Sequence, residues 1–199
     1  MFVQIITAKV TDPDLHRRQL DTWRRDLKPG AKGYLGSTGG VTADGELFQI
    51  VRFASEAAAE ENSTRAEQGL WWSATETALD NVAFVNSSDV RSFVGGGSDA
   101  AGFVQVMEAA VSDRARFDEL LTEFETKIPA HRPELFGGLV IWHDDGRMTM
   151  AAYFASEAEA RAGEAREMPD DMKALDDEWR SLLSDLRFYD LVNPELDSA

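Results

Sequence analysis

Two hydrophobic periods alternate along the chain. Phe2 to Val10 is a nearly continuous apolar, β-rich run, after which Asp12-Pro13 supplies an N-cap and a proline suited to the first helical position. His16, Leu20, Trp23 and Leu27 then fall on one helical face, and Pro29-Gly30 ends the pattern. Two short strands follow, Tyr34 to Thr42 and Glu46 to Ala54, joined across Ala43-Asp44-Gly45 as a hairpin. Ser55 is a natural N-cap for the acidic, alanine-rich helix after it, and a last strand is predicted near Ala83 to Phe93. The order is β-α-β-β-α-β.

The same order returns 101 residues later. Phe2-Val3-Gln4 recurs as Phe103-Val104-Gln105, Asp44-Gly45 as Asp145-Gly146, and Phe53-Ala54-Ser55-Glu56-Ala57 as Phe154-Ala155-Ser156-Glu157-Ala158. In the second copy Phe117, Leu121, Phe124 and Ile128 form the first helical stripe, stopped by Pro129. The strands Leu135 to His143 and Arg147 to Ala155 make the hairpin, Ser156 caps the next helix, and Leu186 to Val192 closes the copy. A unit of this length is too long for a solenoid and suits a duplicated small domain. The fold class is α+β: two fused ferredoxin-like repeats, spanning 1–94 and 101–199 and joined by a Gly/Ser linker at 95–100 that contains Gly95-Gly96-Gly97-Ser98. Apolar residues on both sides of the first strand's pleat (Phe2, Val3, Ile5, Ile6) call for a sheet covered on two faces. The expectation is that the copies pack sheet to sheet as an intramolecular dimeric α/β barrel, leaving the molecule a monomer or a weak homodimer.

Composition narrows the partners. Of 199 residues, 36 are acidic and 20 are Lys or Arg, a formal charge of −16 that repels nucleic-acid backbones and anionic membrane surfaces alike. No apolar run approaches the roughly 20 residues that span a bilayer, and the reading is of a cytoplasmic protein. The chain has no cysteine, which removes disulfides and thiolate chemistry. His131 reads as loop, His143 as the solvated end of a hairpin, and Asp170-Asp171 as acids in a first helical turn; no metal site is expected. Gly95-Gly96-Gly97 lacks the lysine of a phosphate loop, and no nucleophile elbow or dinucleotide fingerprint is present.

The element order in both halves, with the strand-into-helix junction Phe53-Ala54-Ser55-Glu56-Ala57-Ala58, resembles the dimeric α/β-barrel superfamily and, within it, the antibiotic biosynthesis monooxygenase-like group. The resemblance implies a range of activities: cofactor-independent oxygenation of aromatic polyketides, haem degradation or binding, and isomerisation of small molecules. Haem-degrading members use an asparagine, a tryptophan and an axial histidine that do not map together onto either half. No cofactor is therefore expected, with haem and flavin kept as alternatives.

Comparing the copies with each other points to the first half. Gln4 and Gln105 interrupt otherwise apolar strands, and either pair with one another near the pseudo-two-fold axis or point into a cavity. Met172, Leu175, Trp179 and Leu182 form a stripe whose counterparts, at the constant offset, are Trp71, Ala74, Ala78 and Asn81; the lost volume is refilled by other side chains or by a ligand. Trp71 and Trp72 cannot both face one helical core, so one of them lines a cavity, covers an interface or lies at the surface. His16 stands where the second copy has Phe117, and Asn62 and Arg65 lie one turn apart on the approach to Trp71. His16 as base and Arg65 as an oxygen-holding group are the candidate catalytic residues; Trp71, Trp72, Asn62 and Gln4 are the candidate substrate contacts. The bland alternatives are a locally bonded histidine, a surface salt bridge for Arg65 and a solvated Asn62. The function expected is binding of a small hydrophobic, aromatic compound in the first half, with monooxygenase-like turnover, against a non-catalytic ligand-binding or assembly scaffold in which Trp71-Trp72 is a subunit contact.

Overall fold

A computed structural model describes residues 1–97 and 99–198; Ser98 of the expected linker lies outside the described residues. The first repeat contains β1 (Phe2–Val10), α1 (Pro13–Thr22), β2 (Tyr34–Val41), β3 (Glu46–Phe53), α2 (Glu56–Ser63), α3 (Ala66–Thr75) and β4 (Leu79–Ser87). After β5 (Val90–Phe93) the second repeat gives β6 (Phe103–Val111), α4 (Arg114–His131), β7 (Leu135–Trp142), β8 (Arg147–Phe154), α5 (Glu157–Glu164), α6 (Asp170–Ser181), β9 (Leu183–Val192) and β10 (Glu195–Ser198). The α+β, two-repeat fold is as the patterning predicts. Each repeat carries the antiparallel strand order of a ferredoxin-like sheet, β2-β3-β1-β4 in one and β7-β8-β6-β9 in the other.

Each sheet has a fifth strand, and it comes from the far end of the other repeat. β10 pairs with β2, with Asp197 opposite Ser37, and β5 pairs with β7, with Phe93 opposite Gly138. The compact units are consequently Met1–Ser88 with β10, and Asp89–Pro194, where the repeat pattern alone draws its boundary at the glycine run. The predicted closing strand Ala83 to Phe93 is in fact two strands, broken between Ser87 and Val90, that join different sheets.

Local signals set most boundaries. Asp12 and Asp113 cap α1 and α4 by accepting the Leu15 and Arg116 N–H groups at 2.9 and 3.0 Å, and Ser55 and Ser156 cap α2 and α5 at 3.2 Å. Pro129 does not stop α4. It sits in the last turn, which ends with His131, where a missing N–H costs one bond and the chain needs no further turns. β1 is buried on both faces, with Phe2 packed toward Ala59 of α2 on one side and Val3 and Ile5 enclosed on the other.

A candidate binding cavity in the first unit

Between the helix-facing side of the first sheet and α1 and α3 lies a cavity of about 440 Å³. α1 brings His16 to its wall on the first turn after the Asp12 cap, with only 6% of the residue exposed. The helix then widens into a π-helical segment, Trp23–Leu27, and a 3₁₀ turn, Lys28–Gly30. Such widening changes which side chains face inward and often accompanies function. Trp23, the first residue of that segment, keeps the inward face of His16 and Leu20, and its indole N–H donates to Gln68 Oε1 at 3.0 Å. The corresponding part of α4 is an unbroken α-helix, and nothing in the helical periodicity of the first repeat foretells the difference.

Aromatic rings line the cavity in one connected series. Phe53 meets Tyr34 at 6.0 Å between centroids, Tyr34 meets Trp23 at 5.0 Å, Trp23 meets Trp71 at 6.5 Å, Trp71 meets Trp72 at 6.0 Å and Trp72 meets Phe84 at 5.4 Å. Both neighbouring tryptophans, the candidate contacts read from the sequence, reach the wall. Trp71 is anchored by its N–H to Gln19 O at 2.7 Å, while Trp72 packs with Ala8, Leu47 and Leu79, so the space accepts rings from a wide arc of α3.

Polar groups are few and individually held. Gln4 faces the cavity and donates to Asn86 Oδ1 on β4 at 3.2 Å, while Gln105 donates to Asp190 Oδ1 on β9 at 3.0 Å; the two glutamines find their partners on neighbouring strands of their own sheets. Asn62 is not solvated but buried at 6% exposure, and its Oδ1 accepts from Arg65 Nη1 at 2.9 Å. Arg65 itself is not on the cavity wall. Its guanidinium is committed to Asn62, to Leu27 O at 3.2 Å and to Glu67 at 2.9 Å, which ties the α2–α3 junction to the end of the π segment. The structure thus gathers His16, Trp71, Trp72, Asn62 and Gln4 around one space and sets Arg65 behind it.

Burial pushes the His16 pKa down, partly opposed by the charge of Glu195 and assisted by that of Arg17, so the ring is a neutral imidazole near pH 7. No protein group among the described residues hydrogen-bonds that ring. Burial also drives the Tyr34 phenol well above its usual value, keeping it protonated. His143 is not a solvated hairpin end: its Nε2 lies 2.9 Å from Thr149 Oγ1, and burial lowers its pKa as well. Among the described residues no cluster of three or more His, Asp or Glu could hold a metal ion.

The repeat register explains the space. A constant offset of 101 fails after α5: α6 and β9 stand 104 residues beyond their counterparts, Asp170 against Ala66 and Leu183 against Leu79, because the turn before α6 is longer. The partners of Met172, Leu175, Trp179 and Leu182 are then Gln68, Trp71, Thr75 and Ala78, which corrects the assignment made at constant offset. In the second unit Phe117 stacks on Trp179 with ring centroids 5.9 Å apart. In the first, the same two places hold His16 and Thr75, and both line the cavity.

Neither a protein-family model nor a curated protein sequence matches the chain. Solved structures do match along its whole length. A proposed monooxygenase from Fusobacterium nucleatum is similar over 99% of this chain and 94% of its own, at a TM-score of 0.74 and 7% identity. A proposed monooxygenase from Lactobacillus acidophilus is similar over 99% and 96%, at 0.71 and 12% identity, and an anthrone oxidase-like protein over 98% and 92%, at 0.66 and 10% identity. At such identities the likeness is one of fold: two ferredoxin-like units in tandem. No helix among the described residues is long and apolar enough to cross a membrane.

Proposed function

We propose that the cavity of the first unit binds a flat, hydrophobic compound of two or three aromatic rings that carries an ionisable hydroxyl or an acidic CH₂, and that His16 removes its proton. The single observation behind this reading is a neutral, buried imidazole on an aromatic wall at the position where the second repeat packs Phe117. A cavity of about 440 Å³ is of the size that encloses a small ligand. Flat rings suit tilted indole and phenyl walls, and a desolvated neutral histidine is poised to accept a proton from a weakly acidic phenol or carbon acid.

Turnover would be a monooxygenation without an added reductant. The ionised substrate supplies all four electrons that O₂ takes up: a CH₂ between aryl groups becomes C=O, one oxygen atom enters the product and the other leaves as water with the two hydrogens lost from carbon. A fold neighbour's description as anthrone oxidase-like adds to this reading without carrying it. Haem and flavin fit less well. Among the described residues the only Lys or Arg on the wall is Arg24, and it is paired with Glu195 at 2.8 Å, so propionates or a phosphate would meet no free cation. As for assembly through Trp71-Trp72, both indoles already have partners inside the unit.

The test is tryptophan fluorescence of the wild type, Trp71→Phe and His16→Phe, titrated with anthrones, naphthols, haem and flavins, followed by oxygen uptake with whichever compounds bind. Saturable quenching that is weakened in Trp71→Phe, with oxygen uptake absent from His16→Phe, is the expected result. Binding with no uptake by the wild type would leave a non-catalytic binding protein, and no response to any aromatic compound would overturn the reading.

A further inference from the structure

One end of the cavity differs chemically from the rest. Tyr34 OH lies 3.0 Å from Ser37 Oγ and 3.0 Å from Asp197 Oδ2; Tyr34 and Ser37 are buried, and all three residues line the cavity. Asp197 arrives on β10, whose pairing with β2 sets it directly opposite Ser37. Lys28 Nζ holds the other carboxylate oxygen at 2.6 Å but is not itself on the wall, so the cavity meets the acid and not its counter-ion.

The protons in this cluster can be assigned by elimination. A carboxylate only accepts, so the single Tyr34 proton goes to Asp197, and the 3.0 Å contact between the hydroxyls is then Ser37 donating to Tyr34. Both hydroxyl protons are thereby used within the cluster. What remains facing the cavity is a set of lone pairs on Ser37 and Asp197.

We infer that Tyr34, Ser37 and Asp197 form a subsite that selects a ligand by a hydrogen-bond donor, an aromatic O–H or N–H, and rejects a carboxylate at the same ring position. The inference rests on the aromatic-binding reading above and adds to it the polarity of the group at the ligand's far end. The second unit supplies the control, since its equivalents of Tyr34, Ser37 and Asp197 are Leu135, Gly138 and Phe93, all apolar. There Phe93 lies so close over Gly138 that a Cβ would come within 2.1 Å of its Cζ. A side chain at position 37 and a carboxylate in place of that phenyl ring are thus a matched change, made in one repeat only.

The experiment is calorimetric titration of the full chain with 2-naphthol, naphthalene and 2-naphthoate, on the wild type, Asp197→Asn and Ser37→Ala, with circular dichroism to check each fold. A hydrogen bond to a charged group is commonly worth about a tenfold change or more. The wild type should therefore bind 2-naphthol at least about tenfold more tightly than 2-naphthoate, and Asp197→Asn, whose amide can donate as well as accept, should reduce that preference to within about threefold. Ser37→Ala should weaken 2-naphthol without affecting naphthalene, and it keeps the test intact if Asp197→Asn does not fold. Equal wild-type affinity for the three probes, or a preference that survives Asp197→Asn, overturns the subsite and leaves the aromatic-binding reading standing. No binding of any probe overturns both.

Discussion

The slot between helices and sheet is occupied in opposite ways by the two units. In the second it is core: Phe117 packs edge-on against Trp142 at 5.4 Å and beside Trp179, with Met148 and Leu121 completing the cluster. A smaller cavity of about 320 Å³ remains there, walled by Leu121, Phe124, Ile128, Met150 and Met172, and two arginines at its edge are held in ion pairs, Arg132 with Glu134 and Arg180 with Asp176. In the first unit the matching positions read His16 for Phe117, Thr75 for Trp179, Gln49 for Met150, Gln68 for Met172 and Asp197 for Phe93. Polar groups at five places that the same fold fills with apolar ones cannot be a requirement of the fold. Gln49 even leans across its cross-strand partner, where a Cβ on Gly39 would fall 1.9 Å from its Oε1, whereas the second repeat has Val140 at that position. The duplication thus separates what packing demands from what was added to it.

The largest effect should come from emptying the second slot. Phe117→Ala removes a fully buried ring from a core with few ways to close, and should cost about 3 to 5 kcal/mol in urea denaturation. His16→Ala removes a side chain that already borders open space and should cost less than half as much. Equal losses would mean that the first cavity is packed in solution and that the contrast between the units is not real.

Filling the first slot sharpens the same comparison. The double variant His16→Phe/Thr75→Trp gives the first unit the second unit's stacked pair. It should abolish binding of aromatic probes while leaving stability unchanged or raising it by up to about 2 kcal/mol through added apolar burial. Retained binding would place the ligand elsewhere. A fall in stability of more than about 1 kcal/mol would show that the π-helical segment leaves no room for the phenyl ring.

This contrast was only partly legible in the sequence. The exchange of His16 for Phe117 could be read from the repeat because α1 and α4 begin in register behind equivalent aspartate caps. Trp71, Trp72, Gln4 and Asn62 were also legible as candidates. Thr75 was hidden by the longer turn before α6, which moves the register without disturbing any hydrophobic pattern. Asp197 was hidden for a topological reason: it lies far along the chain from Ser37, and no local period reports that β10 crosses to the other repeat's sheet. Arg65 misled because a charged residue beside a cavity reads the same whether it faces in or, as here, braces Asn62 from behind.

A third prediction concerns features that the repeats share, and it should show no contrast. Ser55→Ala and Ser156→Ala each remove a side-chain cap of the same geometry from equivalent helices, and each should cost about 1 kcal/mol. A much larger loss for Ser55 would tie α2 to the cavity more strongly than its contacts suggest.

The smallest effect expected is a slope. His16 has a folded-state pKa held below the ordinary histidine value of 6.5, chiefly by burial, and so does His143 in the second unit. A group depressed in this way binds fewer protons folded than unfolded, so its neutral form favours the native state above about 6.5 and that advantage is lost as pH falls from there through the folded values. Stability of the wild type should therefore decline between pH 7 and pH 5, and His16→Phe should remove part of the decline while the part belonging to His143 remains. Glu195 works against the depression at His16 from β10, so Glu195→Gln should steepen the wild-type slope, whereas no change of slope in either variant would mean that the His16 ring is hydrated in solution and the first cavity wetter than its aromatic walls imply.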